Sequence, residues 1–341
     1  MRRNGYGGYR GRRTGREALK YVIIGLIVLI GVLAAILFFG EEEPEQEQQP
    51  EQSQQVQEPE VNPEPEPESE PEPEPEPEVE PFVMQAMEVT MSQVAENNWR
   101  QGLEEAGGNA VVVNMKPDDG TLNWEQGKSI DEGGVNAALW RMNSTGYYTV
   151  ARISCFRDEA AADTYEYCIH SNSGYRWKDF GGIHWVSPAN LAVQDRLIEQ
   201  AVELAQLGFS EILLDNCGYP PNGSGEMGWI KRSEVYDPEH MDVVVGAFLT
   251  RMREALEPWA VKLSIRTDAE VMADPVASRT GLTGRVLEEH TDRIWMSGVE
   301  TDAPLAELLS NAGVSDVGER LVTETAVLMP ENRWKQAVVT F

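Results

Sequence analysis

The chain has 341 residues and a net charge of −29, and the charge is unevenly distributed. Residues 1–40 carry seven basic side chains and one acidic one, residues 41–81 carry seventeen glutamates and no base, and the remaining 260 residues carry −18. A domain this acidic, without a basic stripe, argues against nucleic acid as a partner. A length of about 260 residues fits one large α/β domain over residues 82–341 better than two small ones.

The first forty residues predict a basic tail followed by a membrane-spanning helix. Residues 21–39 (YVIIGLIVLIGVLAAILFF) contain no charge, and at ~1.5 Å per residue this run nearly covers the ~30 Å hydrocarbon core of a bilayer. A cleaved signal peptide would have a shorter apolar run and a small-residue cleavage site, so we expect an uncleaved anchor. The basic tail, residues 1–20, should stay in the cytoplasm by the positive-inside rule. The sequence thus predicts a single-pass protein of the cell membrane with its C-terminal domain outside the cell.

Residues 40–81 consist almost entirely of Glu, Pro and Gln and end in repeated Pro-Glu pairs. Proline restricts each step to polyproline-like geometry and the glutamates repel one another, which predicts an extended, disordered stalk. The alternative is a disordered tail with no spacing role.

From residue 82 onward, short apolar runs rich in β-branched residues alternate with helix-like stretches. The predicted strands are 86–90, 110–115, 148–154, 211–215, 261–265, 293–297, 320–323 and 337–341. The predicted helices include 98–106, 135–143, 191–208, 241–256 and 304–312. Eight such units predict a parallel sheet closed into a (β/α)8 barrel of the TIM type. The eighth strand reaches the last residue, so a final helix would be missing, and an open or incomplete barrel is the alternative.

The cysteines and histidines favour no metal chemistry. The three cysteines, Cys155, Cys168 and Cys217, have no CxxC spacing, and the four histidines are not clustered. Neither a zinc site nor a disulfide framework is therefore expected, and no cofactor is predicted. Buried free thiols are the favoured reading, with a Cys155–Cys168 bridge as the alternative.

Carboxylates follow several of the predicted strands, where the reactive groups of such barrels gather. Asp215 directly follows the apolar run of the fourth strand, and a charge there is either exposed at the barrel mouth or costly. The other carboxylates at these junctions are Asp118, Asp119, Asp158, Asp268, Glu270 and Glu324. Glycosidic cleavage needs two such groups: one protonates the leaving oxygen, and the other attacks the anomeric carbon or activates water. Sugar rings also stack on aromatic faces, and the upper loops contain candidates such as Trp185, Tyr219 and Trp295.

Four sequence blocks occur in series and together resemble one family. They are 109–120 (NAVVVNMKPDDG), 151–158 (ARISCFRD), 185–188 (WVSP) and 208–220 (GFSEILLDNCGYP). The chain resembles a bacterial family of glycoside-hydrolase-like barrel domains of otherwise unknown function, distantly similar to the α-amylase superfamily. The resemblance covers residues 84–295.

This resemblance implies roles for particular residues. Asp215 would be the nucleophile or principal carboxylate, Asp268 or Glu270 the acid/base group, and Glu324 a further carboxylate of the catalytic set. The implied substrate-binding residues are Asp119, Arg152, Asp158, Trp185, Tyr219 and Trp295. The chain departs from the family at Asn114, where an Asp is expected, and at Asn216 and Gly218, where Tyr and Arg are expected. These departures imply that either the substrate differs or activity has been lost. Leu213 also stands where amylase-like proteins have an arginine.

The first hypothesis is a membrane-anchored extracytoplasmic glycoside hydrolase that cleaves a polysaccharide or cell-wall glycan with two carboxylates. The alternative is a non-catalytic carbohydrate-binding or envelope-scaffolding barrel. A hydrolase of another type, such as a deacetylase, is the third reading. A carbohydrate and, through the N-terminal helix, the membrane are the expected partners.

Overall fold

The computed structural model describes residues 82–221, 230, 231, 233, 237, 239–272, 279–297, 303–325 and 336–339. The predicted tail, membrane helix and linker, residues 1–81, lie outside the described residues. Within the described residues, no helix has the length and apolar character that crossing a bilayer requires.

Eight parallel strands pair in chain order, and the last pairs with the first, so the sheet is a closed barrel. The strands are β1 Gln85–Val89, β2 Ala110–Lys116, β3 Tyr148–Ser154, β4 Glu211–Asp215, β5 Lys262–Asp268, β6 Arg293–Ser297, β7 Leu321–Thr325 and β8 Ala337–Val339. This result confirms the predicted (β/α)8 barrel, and the pairing of β1 with β8 shows that the sheet is closed rather than open.

Helices follow the strands on the outside of the barrel. They are α1 Met91–Glu96, α2 Trp99–Glu105, α3 Gly134–Asn143, α4 Leu191–Gln206, α5 Met241–Leu256, α6 Ala269–Met272, α7 Gly284–His290, α8 Ala303–Asn311 and α9 Val317–Arg320. The start of α4, one of the two longest helices, is marked by a signal in the sequence. Asn190 accepts hydrogen bonds from the first backbone amides of α4 and so caps that helix.

Side chains of the strands alternate between the inside of the barrel and the helical layer. The inward cluster is Met84, Ala86, Ala110, Val112, Val150, Leu213, Trp295, Val322 and Val338. The outward residues pack with the helices into a second and larger core, which includes Trp99, Phe156 and Phe248. The interior is thus filled with side chains, of which Ser264 on β5 is a small polar one, and the charged groups stand at its two ends.

A buried polar cluster fills the end of the barrel where the strands begin. Glu211 is 0% exposed and accepts hydrogen bonds from Tyr148 Oη (2.8 Å), Arg293 Nη1 (2.6 Å) and Trp295 Nε1 (2.9 Å). The Phe82 ring stacks on Tyr148 with ring centroids 4.9 Å apart. The chain therefore enters the domain at this amino-terminal end.

All three cysteines are buried and free, so the Cys155–Cys168 bridge is not formed. The Cys168 thiol donates to the backbone oxygen of Ala162 at 3.0 Å. Burial raises the pKa of the Cys168 thiol to about 11, which keeps it protonated near neutral pH.

Candidate active site

The opposite end of the barrel, where the strands end, carries a layer of four charged side chains. They project inward from alternate strands, at the next inward position after the apolar core: Glu88 on β1, Arg152 on β3, Arg266 on β5 and Glu324 on β7. Alternate strands supply such layers in barrels of this type. Here the layer that reaches the mouth is charged rather than apolar.

Asp215, the last residue of β4, lies between the two arginines of this layer. Its Oδ2 is 3.3 Å from Arg266 Nη1 and 3.7 Å from Arg152 Nε. Its Oδ1 accepts a hydrogen bond from the Asn216 amide at 2.9 Å. The Asp215 side chain is 14% exposed. The Asp215 carboxylate is therefore partly accessible to a ligand at the barrel mouth and is held by an arginine on each of two sides.

Each arginine is also bound by a glutamate on its far side. Arg266 Nη2 donates to Glu324 Oε2 at 2.8 Å, and its Nε donates to the other oxygen of the same carboxylate. Arg152 Nη1 lies 3.4 Å from Glu88 Oε2. The bidentate contact fixes Arg266 more firmly than the single long contact fixes Arg152. The result is a row of five alternating charges centred on Asp215.

Opposing effects act on the pKa of Asp215, and their net result raises it above the usual value for an aspartate. Burial raises the pKa of this carboxyl group, while Arg266 and then Arg152 act to lower it, and the charge of Asp118 raises it. The pKa of Arg266 is itself raised, chiefly by its hydrogen bonds to Glu324. The pair of arginines is thus the feature that favours the ionised form of a buried carboxylate.

Two cavities meet at Asp215. A cavity of about 240 Å³ lies toward β2 and β3 and is lined by Asn114, Lys116, Pro117, Asp118, Arg152, Ser154, Arg157, Asp215, Asn216 and Arg266. A smaller one of about 120 Å³ lies toward β5, and Asp268, Tyr219 and Trp185 line it together with Asp215. Each cavity therefore presents a second carboxylate beside Asp215.

These two further carboxylates differ in how fully they are engaged. Asp118 bonds Arg157 through one oxygen and accepts from Asn216 Nδ2 (2.9 Å) through the other. Asp268 Oδ1 accepts from the Val271 amide at 2.7 Å and caps α6, while its Oδ2 has no hydrogen bond within the described part of the chain. Asp268 is thus the freer of the two.

Asn216, which follows Asp215, adopts a left-handed conformation with φ of 48°. Asparagine tolerates this region better than most residues, because its short polar side chain bonds locally. Its Nδ2 donates to Ser154 Oγ at 3.0 Å as well as to Asp118. Asn216, where the family has a tyrosine, therefore turns the chain sharply after β4 and ties that turn to β3.

The remaining residues that the sequence predicts for the site lie in different surroundings. Glu270 is exposed on α6 and lines neither cavity. Asp119 accepts from the Thr121 amide at 2.8 Å within a turn. Asp158 is buried in an ion pair with Lys116 Nζ at 2.7 Å. Trp295 lies inside the barrel at 1% exposure, bonded to Glu211 below the mouth. The structure does not bring these four side chains to Asp215.

The structure also places at the mouth groups to which sequence reasoning gave no role. Glu88 and Arg266 belong to the charged layer. Asp118, which the sequence did indicate as a candidate carboxylate after the second strand, lines one of the cavities. Phe180 is 84% exposed in the long loop after β3. The preceding residue, Asp179, accepts from Arg157 Nε at 2.7 Å, and Arg157 lines the larger cavity, so Phe180 stands close to the mouth.

No group of three or more metal-binding side chains comes together within the ranges that the structure describes. The charged groups around Asp215 are carboxylates and arginines.

Comparison with known proteins gives a family for the domain. A family model described as "Putative glycosyl hydrolase domain" matches residues 86–296. No curated protein matches the sequence significantly.

The fold is similar to that of several solved structures. One is a hypothetical protein from Ruminiclostridium thermocellum ATCC 27405, with 23% identity, 52% of this chain and 96% of that chain covered, and a TM-score of 0.44. Another is the glycoside hydrolase domain of PgaB (BpsB) from Bordetella bronchiseptica, with 14% identity, coverage of 71% and 84%, and a TM-score of 0.49. A third is a chitinase from Chromobacterium violaceum, with 14% identity, coverage of 72% and 68%, and a TM-score of 0.39.

Proposed function

Since the chain belongs to the glycosyl hydrolase domain family whose model matches residues 86–296, we propose that it hydrolyses glycosidic bonds of a polysaccharide or cell-wall glycan with two carboxylates. The observation that carries this proposal is the position of Asp215. It lies at the end of β4, at the barrel mouth, between two arginines and beside a second carboxylate in the same cavity. This is where barrel enzymes hold their reactive groups.

In this proposal Asp215 acts as the ionised carboxylate and Asp268 as the proton donor. The glycosidic C–O bond breaks, the leaving oxygen takes the proton of Asp268, and Asp215 attacks the anomeric carbon or activates the water that replaces it. The amylase-like assignment of Asp215 as the nucleophile is kept as part of the proposal. Arg152 and Arg266, from neighbouring strands, would do the work of the arginine that Leu213 replaces.

The choice of Asp268 rests on its surroundings. It shares the smaller cavity with Asp215, and one of its oxygens is unengaged within the described chain. Glu324 is held by two hydrogen bonds from Arg266, and both oxygens of Asp118 are occupied. Glu270 lines neither cavity. Asp268 is therefore the carboxylate best placed to donate a proton near Asp215.

Leaving-group dependence tests the two roles separately. Asp268→Asn should lose about 10²–10⁴-fold in kcat/KM on unactivated oligosaccharides, and much less on aryl glycosides whose leaving group needs no proton. Asp215→Asn should lose activity on both substrate classes. Asp316→Asn is a matched control, because Asp316 is exposed before β7 and its φ of 49° suits asparagine. Equal losses on both substrate classes in Asp268→Asn would remove Asp268 from the role of acid.

A non-catalytic carbohydrate-binding barrel is the second candidate. It is favoured by the number of mouth carboxylates already neutralised, since Glu88, Glu324 and Asp118 all contact arginines. Binding of a glycan without turnover, equal in the wild type and in Asp215→Asn, would support this candidate against the hydrolase.

The proposal includes a location at the cell membrane, with residues 21–39 as the anchor and the barrel outside the cell. Its support is the sequence of that segment and of the basic tail before it. Protease added to intact cells should then digest the barrel and spare a cytoplasmic marker. Full protection of the barrel in intact cells, with digestion after lysis, would contradict this location.

A further inference from the structure

A cavity of about 530 Å³ lies between the carboxyl ends of β1 and β2. It is lined by Glu88, Val89, Thr90, Met91, Gln93, Asn114 and Asn123. It is larger than either cavity around Asp215 and lies in the range of about 300–1,000 Å³ that small-molecule sites occupy. Neither Asp215 nor Asp268, the two carboxylates of the proposed reaction, lines this cavity.

This cavity adjoins the candidate active site. Asn114 lines both the 530 Å³ cavity and the 240 Å³ cavity that contains Asp215. Glu88 lines the 530 Å³ cavity and contacts Arg152, whose Nε is 3.7 Å from Asp215. A ligand that extends from Asp215 toward β1 would therefore enter this space.

The wall that the two cavities share contains an unsatisfied polar atom. Asn114 Oδ1 is buried and has no hydrogen-bond partner among the described residues. An unpaired buried polar atom is energetically unfavourable, so a ligand hydroxyl group that reached Asn114 Oδ1 after rotation of the amide would gain a favourable hydrogen bond. The Asn123 Nδ2 is fixed by a 2.7 Å bond to the Asn114 backbone oxygen. The wall is thus built from amides in a defined arrangement.

The charges of the cavity select against an anionic ligand. The ionisable group in its lining is the Glu88 carboxylate. The neighbouring cation, Arg152, is already shared by Glu88 and Asp215. Val89 and Met91 add apolar surface. Amides, one carboxylate and an apolar patch suit the hydroxyls and the ring face of an uncharged sugar.

We propose that this cavity is a second sugar subsite, which binds a neutral hexose unit next to the unit that occupies the Asp215 site. The substrate is then an oligosaccharide or polysaccharide of neutral sugars, and Asn114 and Glu88 determine its specificity. This inference rests on the proposed function, because it assumes that a sugar unit occupies the Asp215 site. Ligand binding tests the subsite separately from catalysis.

The test is calorimetric titration of the full chain in the Asp215→Asn background, so that no turnover occurs. The probes are α- and β-linked gluco-oligosaccharides from disaccharide to hexasaccharide, with oligogalacturonides as the anionic comparison. Affinity for one neutral series should increase with length, and Asn114→Ala should lower the affinity for its longer members roughly tenfold. Gln206→Ala, in a cavity beside α4 that shares no lining residue with the proposed subsite, is the matched control and should change nothing.

Asn123→Ala provides a second variant, and thermal melts show whether each variant folds. Failure to bind any neutral oligosaccharide, an affinity independent of length, or equally tight binding of oligogalacturonides would overturn the subsite. An equal loss for short and long ligands in Asn114→Ala would also overturn it. Length-dependent binding with no turnover in the wild type would support the subsite and contradict the hydrolase, so the two failures are distinguishable.

Discussion

Replacing Arg293 by methionine should destabilise the barrel strongly, although Arg293 lies at the end opposite to the mouth. Glu211 is completely buried, and Arg293 supplies its 2.6 Å charge-assisted hydrogen bond. The Tyr148 and Trp295 donors remain in the variant, but neither neutralises the charge. The methionine fills most of the vacated space, so loss of the ion pair dominates the effect.

Removal of one partner of a buried ion pair typically costs about 3–5 kcal/mol, because an uncompensated charge remains in the interior. At about 2–4 °C per kcal/mol for a domain of this size, the melting temperature should fall by about 6–20 °C. Urea titration should give a lower midpoint with an unchanged slope.

A double-mutant cycle tests the cause. Glu211→Gln removes the buried charge, so adding Arg293→Met to it should cost less than Arg293→Met alone, with a coupling energy of about 0.5–3 kcal/mol. A melting temperature within about 2 °C of the wild type, or strictly additive costs, would refute the ion-pair reasoning.

The remaining predictions concern the mouth and one close contact of the helical layer. Asp215 acts in its ionised form, so activity should fall as the pH drops through its pKa. Arg266→Gln should raise that pKa and move the acid limb of the kcat/KM profile to higher pH, whereas Asp118→Asn should lower it and move the limb to lower pH. Shifts of both variants in the same direction would contradict the opposite effects of the two residues on this pKa. Phe180→Ala should raise KM for oligosaccharides about two- to tenfold, because a ring that stacks on sugars is lost. The melting temperature should not change, because the ring is 84% exposed. A lower melting temperature would show that the ring packs against the protein instead. Gly284→Ala would place a Cβ 1.9 Å from a backbone oxygen of the turn after α8; the resulting shift should cost about 1–3 kcal/mol in urea unfolding, and an unchanged midpoint would contradict it.

Most of the barrel could be predicted from the sequence because its strands are apolar on both faces. The bounds of β3, β4 and β6 agree with the prediction, and all eight strands form. The largest errors in the strand boundaries lie at the mouth. The prediction ends β5 at 265 and β7 at 323, whereas they continue to Asp268 and Thr325. The inner wall becomes polar there, so the apolar pattern that marks a strand is lost although the backbone pairing continues.

Individual residues of the site could be predicted from the sequence, but their contacts could not. Asp215 could be singled out because a charge directly follows an apolar run. Glu88 could have been found from its spacing, since it lies two residues after the inward-facing Ala86. The contacts of Asp215 with Arg152 and Arg266 depend on register between neighbouring strands, and no local pattern encodes that register.

The stacking of Phe82 on Tyr148 fixes the point where the polypeptide joins the barrel, at the end farthest from the charged layer. A group joined directly to Phe82 would therefore lie at the end of the barrel opposite to Asp215. Immobilising a barrel domain that begins at Phe82, through that residue, on a bead or sensor surface would leave Asp215 turned toward the solution. An insoluble or very long polymer, which could not enter the narrow space beneath an immobilised domain, could then still reach the site from above.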